Sequence, residues 1–143
     1  MPNELRFLSQ LLGEVPAANG IYFSNRYFSE PKLFRLASPA SLAGLYAILV
    51  YDARCSPRPY RSIYFGQGGD LAARVTDSHE KYFAWSNAAR GAANLYVAFH
   101  WMSGSSERQR CDAESVLIRD YNPECNIALN ALSGLSVRRG FLI

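Results

Sequence analysis

Gly44-Leu45-Tyr46-Ala47-Ile48-Leu49-Val50-Tyr51 and, beyond a segment holding Pro57 and Pro59, Arg61-Ser62-Ile63-Tyr64-Phe65-Gly66 decide the fold of this chain. Leu45 to Tyr51 reads as a strand, continuous enough in apolar residues to be covered on both faces. Asp52 to Pro59 reads as a turn and Arg61 to Phe65 as a second strand, so the pair is expected to form an antiparallel hairpin. Gly66-Gln67-Gly68-Gly69 ends it. Asp70 can then cap a helix through Leu71, Ala72, Arg74 and Val75.

Working outward, Asn94 to Met102 is a third strand, with Leu95, Val97, Phe99 and Trp101 on one face and Tyr96, Ala98 and His100 on the other. Gly104-Ser105-Ser106 opens a helix from Glu107 to about Tyr121, which Asn122-Pro123 stops. Residues 78–92 fit no single pattern. Before the hairpin, residues 3–12 read as a short helix, capped by Asn3 and carrying Leu5, Leu8, Leu11 and Leu12 at helical spacing. The aromatic segments between residues 20 and 36, broken by Asn, Ser and Pro, suit a hairpin. The tail from Ile127 leaves room for another short element. The expected fold is mixed α/β of the α+β kind: a small three-stranded antiparallel sheet flanked by helices. Residues 1–40 would be an N-terminal helix and hairpin extension packed on a core over 41–130, with 131–143 as a C-terminal tail.

The chain has 143 residues, 49% hydrophobic and 19% charged, which suits one soluble domain with its own core. A net charge of +3 is compatible with a polyanionic partner and too small to argue for one. The basic residues are scattered, with no run longer than Arg138-Arg139, so any basic patch must be assembled by the fold. Cys55, Cys111 and Cys125 form no close pair, which points to reduced thiols and a cytoplasmic setting. They and the histidines His79 and His100 have no zinc-module spacing. The longest uncharged stretch, Leu36 to Tyr51, falls short of the roughly 20 apolar residues of a membrane span. No basic region followed by an apolar run marks a signal peptide at the N-terminus.

Glu114 is the most informative single residue. On a helical wheel Leu117, Ile118 and Tyr121 surround it, while Arg108, Asp112, Ser115 and Arg119 lie on the other side. A carboxylate inside an apolar arc is costly unless it is paired or binds metal. An ion pair with Arg110, one turn earlier, is the simpler account, though such a pair is worth only a few tenths of a kcal/mol. The wheel leaves both accounts open. Arg74, early on the helix after the hairpin, could clamp a phosphate with its fork or stand solvated on the surface. Tyr46 and Tyr64 lie on neighbouring strands, where two tyrosines are ordinarily core with hydroxyls at the rim.

In order and spacing these residues resemble the GIY-YIG nuclease superfamily over roughly Leu42 to Asn126. Gly44-Leu45-Tyr46 stands for the first motif and Tyr64-Phe65-Gly66 for the second, with leucine and phenylalanine in place of the isoleucines. Arg74 falls eight residues after Gly66, where the family has its helix arginine. Glu114 falls on the later helix, where the family has its metal-binding glutamate, and Asn126 closes the pattern after Pro123. The 17 residues between Tyr46 and Tyr64 exceed the family's common gap and ask for a longer loop around Pro57 and Pro59. Many members carry a histidine or tyrosine four residues after the arginine. That position is Ser78 here, with His79 one step on as an accessory candidate. Gly20-Ile21-Tyr22 spells the first motif literally, but 41 residues separate it from Tyr64 and it would leave the strand over 45–51 without a place.

The resemblance implies an endonuclease that hydrolyses phosphodiester bonds in DNA by a one-metal mechanism. Glu114 would hold Mg2+ or Mn2+, an oxygen-seeking ion acting as Lewis acid on the scissile phosphate. Tyr46 would take a proton from the attacking water, with the help that a phenol of pKa about 10 requires. Tyr64 would hydrogen-bond the water or the phosphate, Arg74 would stabilise developing charge, and Asn126 would fix strand to helix. Gln67, Arg26, Lys32 and Arg35 are the further substrate-contact candidates. Single-stranded, duplex and branched DNA all stay open as substrates, as does the oligomeric state. The rival readings are a nucleic-acid-binding module that does not cut, and a protein-interaction domain. The latter would use Tyr22, Phe23, Tyr27, Phe28, Tyr82, Phe83 and Trp85 as its surface. Gly66-Gln67-Gly68-Gly69-Asp70 lacks the lysine and the glycine spacing of a phosphate-binding loop.

Overall fold

The computed structural model describes residues 19–126, so the helix expected over 3–12 and any element of the tail lie outside the described residues. A hairpin comes first, β1 (Ile21–Phe23) paired with β2 (Arg26–Phe28). Its two turn residues, Ser24 and Asn25, both take positive φ (48° and 68°), which matches the right-handed twist of the strands they join. Next come β3 (Lys32–Leu33), a 3-10 turn (Phe34–Leu36), β4 (Gly44–Tyr51) and β5 (Tyr60–Gly68). Two short helices follow, α1 (Leu71–Arg74) and α2 (Tyr82–Ala88), then a second 3-10 turn (Ala92–Asn94), β6 (Tyr96–Trp101) and α3 (Glu107–Tyr121).

The main sheet has four antiparallel strands in the order β3-β6-β4-β5, which corrects the expected three. The added strand, β3, joins through Lys32 opposite Val97 and Leu33 opposite Tyr96. Two residues are too few to show a period-two pattern, so its signal is absent from the sequence. The hairpin β1–β2 stays a separate sheet of two strands. Ile21, Phe23 and Phe28 pack against the main sheet, and β3 supplies an edge strand to it. The residues after His79 that fit no pattern form α2, through which the aromatic Trp85 enters the core.

β4 lies between β6 and β5, and every residue from Gly44 to Val50 is buried, as its unbroken apolar run requires. One sheet face carries Tyr46, Ile48, Tyr64, Val97 and Phe99 against Leu71, Val75 and Trp85 of the α1–α2 segment. The other carries Leu45, Ala47, Leu49, Phe65 and Ala98 against Ala113 and Leu117 of α3 and the hairpin's Ile21, Phe23 and Phe28.

A β-bulge decides which tyrosines share a face. From the loop end, Tyr51, Val50 and Leu49 pair with Tyr60, Arg61 and Ser62; then the register skips Ile63 and sets Ile48 opposite Tyr64. Continued without the skip, the first register would put Tyr64 opposite Ala47, on the α3 face. The extra residue brings Ile63 and Tyr64 together onto the face that holds Tyr46.

Candidate active site

Tyr46 is fully buried in mid-sheet, and its ring crosses the neighbouring strand at Gly66. A Cβ on Gly66 would come within 2.3 Å of the Tyr46 ring, so only glycine lets the phenol lie there. The hydroxyl meets His79 Nε2 at 2.7 Å. The backbone N–H of Lys81 donates to His79 Nδ1 at 2.9 Å, so the one proton of the neutral ring sits on Nε2 and is donated to the Tyr46 oxygen. Burial first, and then the positive charge of Arg74, push the His79 pKa down to about 4, so the ring is neutral at pH 7. Trp85 packs on it with ring centroids 4.3 Å apart.

Tyr64 stands beside Tyr46, its ring centroid 6.1 Å away. Burial holds both phenols above their ordinary pKa, and each feels the negative charge of Glu114. Arg74, on the single turn of α1 that Asp70 caps through the Ala73 N–H, lies next to the Tyr46 hydroxyl and favours its ionised form. Its fork is occupied: Nη1 and Nη2 donate to the two carboxylate oxygens of Glu80 at 3.0 and 2.9 Å.

Glu114 projects from α3, which Ser106 and Gln109 start with a reciprocal capping box and Asn122 ends in a left-handed conformation. Its carboxylate is half-buried, and burial raises its pKa while Arg74 pulls it back. The ion pair with Arg110 is not formed. Arg110 turns instead to Gln67 Oε1 (Nε, 2.9 Å) and to Ser105 (Nη1 to O, 2.7 Å, and to Oγ, 3.2 Å). Among the described residues Glu114 has no hydrogen-bond or ion-pair partner.

Tyr46, Tyr64, Arg74, His79 and Glu114 thus converge, and Asn126 acts one layer out. Its Oδ1 accepts from the Phe65 N–H at 2.8 Å and its Nδ2 donates to the Phe65 carbonyl at 3.1 Å. It completes the open edge of β5 between the second tyrosine and Gly66. The other substrate-contact candidates are dispersed. Gln67 faces α3, on the opposite side of the sheet from Tyr46. Arg26, on the hairpin, bonds His100 at 3.2 Å, and Lys32 sits on β3 at the far edge, paired with Glu30. Arg35 lines a cleft of about 380 Å³ with Ala72, Val75 and Thr76. Gly20-Ile21-Tyr22 leads into the separate hairpin, where Tyr22 is exposed.

The sequence reading did not include Glu80 and gave Arg110 only as an ion-pair candidate for Glu114. A charged residue six positions after Arg74, in a stretch without periodicity, gives no sign of its partner. The apolar arc around Glu114 did mark the inward side of α3, and Arg110 shares it. Of the aromatics considered as a partner surface, Phe23, Phe28 and Trp85 are core, whereas Tyr22 and Phe83 are exposed.

No family model matches the chain, and neither does any curated protein. Among solved structures it is similar to a point mutant of the GIY-YIG N-terminal endonuclease domain of UvrC from Thermotoga maritima, bound to the catalytic divalent cation. The identity is 21%, over 64% of this chain and 88% of that one, with a TM-score of 0.39. The superposition is loose.

Proposed function

We propose that this chain is a metal-dependent endonuclease that hydrolyses phosphodiester bonds in DNA, with Mg2+ or Mn2+ as cofactor. The observation that carries the reading is Glu114: a half-buried carboxylate without a partner among the described residues, beside two phenols and an arginine. Burial of an unpaired carboxylate is unfavourable unless something positive arrives to meet it. No group of three His, Cys, Asp or Glu gathers there among the described residues. One carboxylate suits a hard cation that keeps most of its waters, and such an ion supplies Lewis acidity at a phosphate oxygen.

The protein's own groups then have distinct tasks. The Nε2–H of His79 fills one acceptor position of Tyr46 and stabilises any negative charge that develops on the phenol oxygen. Arg74 acts in the same direction. Burial favours the neutral phenol, so Tyr46 needs both to reach the phenolate, the form that can take a proton from water. Tyr64 orients the water or the phosphate, and Arg74 stabilises the charge of the pentacovalent phosphorus once Glu80 releases it. A binding module that does not cut has one observation in its favour, the occupied Arg74 fork.

Labelled single-stranded, duplex and branched DNAs, incubated with Mg2+ or Mn2+, test this against folded Glu114→Gln protein. Metal-dependent cutting that the variant lacks is the expected result. Binding without cutting selects the module, and neither binding nor cutting removes the reading.

A further inference from the structure

We propose that Arg110 is a second phosphate-binding residue, taking a backbone phosphate adjacent to the one at Arg74, across the Gly68–Gly69 turn. The inference rests on the nucleic-acid reading above. Arg110 is only 8% exposed, yet among the described residues it has no carboxylate partner. Buried guanidinium groups are ordinarily paired with an anion. All its partners are neutral: the Gln67 side-chain oxygen and the carbonyl and hydroxyl of Ser105. They fix the orientation of the fork and leave its charge uncancelled.

Nε and Nη1 are thereby committed, and Nη2 is left without a partner among the described residues. It points toward Gly69, which is exposed: a Cβ built there would lie 3.5 Å from Nη2, ordinary contact with no obstruction. On the preceding glycine the neighbour is Arg74, whose Cβ and Cγ would lie 3.3 Å from a Cβ on Gly68. The two arginines therefore stand beside consecutive glycines at the end of β5, Arg74 on the Tyr46 side of the sheet and Arg110 on the α3 side. A polyanionic strand crossing this turn meets a pre-oriented donor on each side, and pre-orientation is what favours arginine at phosphate sites.

The alternative is that Arg110 only ties the Ser105 loop to β5. DNA binding measured by fluorescence anisotropy in EDTA, where no cutting occurs, separates the two. Labelled single-stranded and duplex oligonucleotides are titrated over a series of salt concentrations. For Arg110→Gln, weaker binding and a plot of log affinity against log salt that is shallower by about one are expected, equally for unrelated sequences. Unchanged affinity and slope in a folded Arg110→Gln protein would overturn the proposal and leave the nucleic-acid reading standing. If Arg110→Gln fails to fold, Gly69→Asp decides, since it sets a carboxylate against Nη2 without disturbing the Gln67 and Ser105 bonds, with Gly69→Ala as neutral control. Loss of binding in Gly69→Asp alone supports the proposal; wild-type binding in both overturns it. Wild-type protein that binds neither oligonucleotide at low salt removes the underlying reading, and this proposal with it.

Discussion

Two side chains in the site titrate against the fold in opposite directions. Glu114 has a raised pKa from burial, so above the ordinary carboxylate range the unfolded chain has lost a proton that the folded chain still favours. Stability therefore falls as pH rises through that window. Glu114→Gln is expected to melt higher than wild type at neutral pH without metal and to lose cutting altogether. Mg2+ or Mn2+ should raise the wild-type Tm and not that of the variant; a metal shift of equal size in both would move the ion elsewhere. His79 behaves inversely. Its pKa lies near 4 against an ordinary 6.5, so on acidification the unfolded chain binds a proton that the folded one refuses. Stability is lost as pH falls from about 6.5 to about 4. Urea midpoints across that range should drop less steeply for His79→Leu, the remaining slope coming from His100, whose burial also lowers its pKa. Equal slopes in variant and wild type would mean that His79 takes up its proton as readily in the fold as in the unfolded chain. Titratable residues announce themselves in a sequence, and Glu114 could be read from the wheel alone. What the wheel could not give was that Glu114 stays unpaired, because Arg110 is drawn off by Gln67, 43 positions away.

At the level of elements, β5 carries the site by two devices, one legible and one not. The glycine that follows the second tyrosine was visible as a motif, and its physical reason is the Tyr46 ring 2.3 Å from where a Cβ would be. Gly66→Ala should destabilise by about 1–3 kcal/mol, the usual cost of overpacking a filled core, and should displace the Tyr46 hydroxyl from His79. Near-wild-type stability with full activity would show that the ring has room to move. Asn126 was legible as the closing residue of a pattern, and the structure supplies its work on the Phe65 backbone. Asn126→Ala should cost about 1–3 kcal/mol for each backbone group left buried and unpaired, read as a lower urea midpoint. Asn126→Asp, which keeps the acceptor and loses the donor, should fall between. The bulge at Ile63 had no sequence signature. Strand alternation read straight through would have parted the two tyrosines, and only the pairing of β4 with β5 shows where the register slips.

For the molecule as a whole, the order of strands and helices was readable because β4, β6 and α3 are long and strongly patterned, whereas β3 is a fragment recognised only by its neighbour β6. Charge distribution is the property least visible in a linear string. A net charge of +3 spread over the chain gives no field worth naming, yet folding sets Arg74 and Arg110 at one end of β5. Glu80 is the counterweight. Its pair with Arg74 is solvent-exposed, with side chains 38% and 62% accessible, and such pairs contribute about 0–1 kcal/mol. A phosphate dianion or a diester with a metal nearby can therefore displace Glu80 at little expense, and the pair works as a weak competitor for the same fork. Glu80→Gln should leave stability within about 1 kcal/mol of wild type and tighten DNA binding at low salt, the gain shrinking as salt screens the competition. DNA affinity unchanged by Glu80→Gln at every salt concentration would show that substrate never uses the Arg74 fork, leaving Arg74 to act only through the Tyr46 hydroxyl.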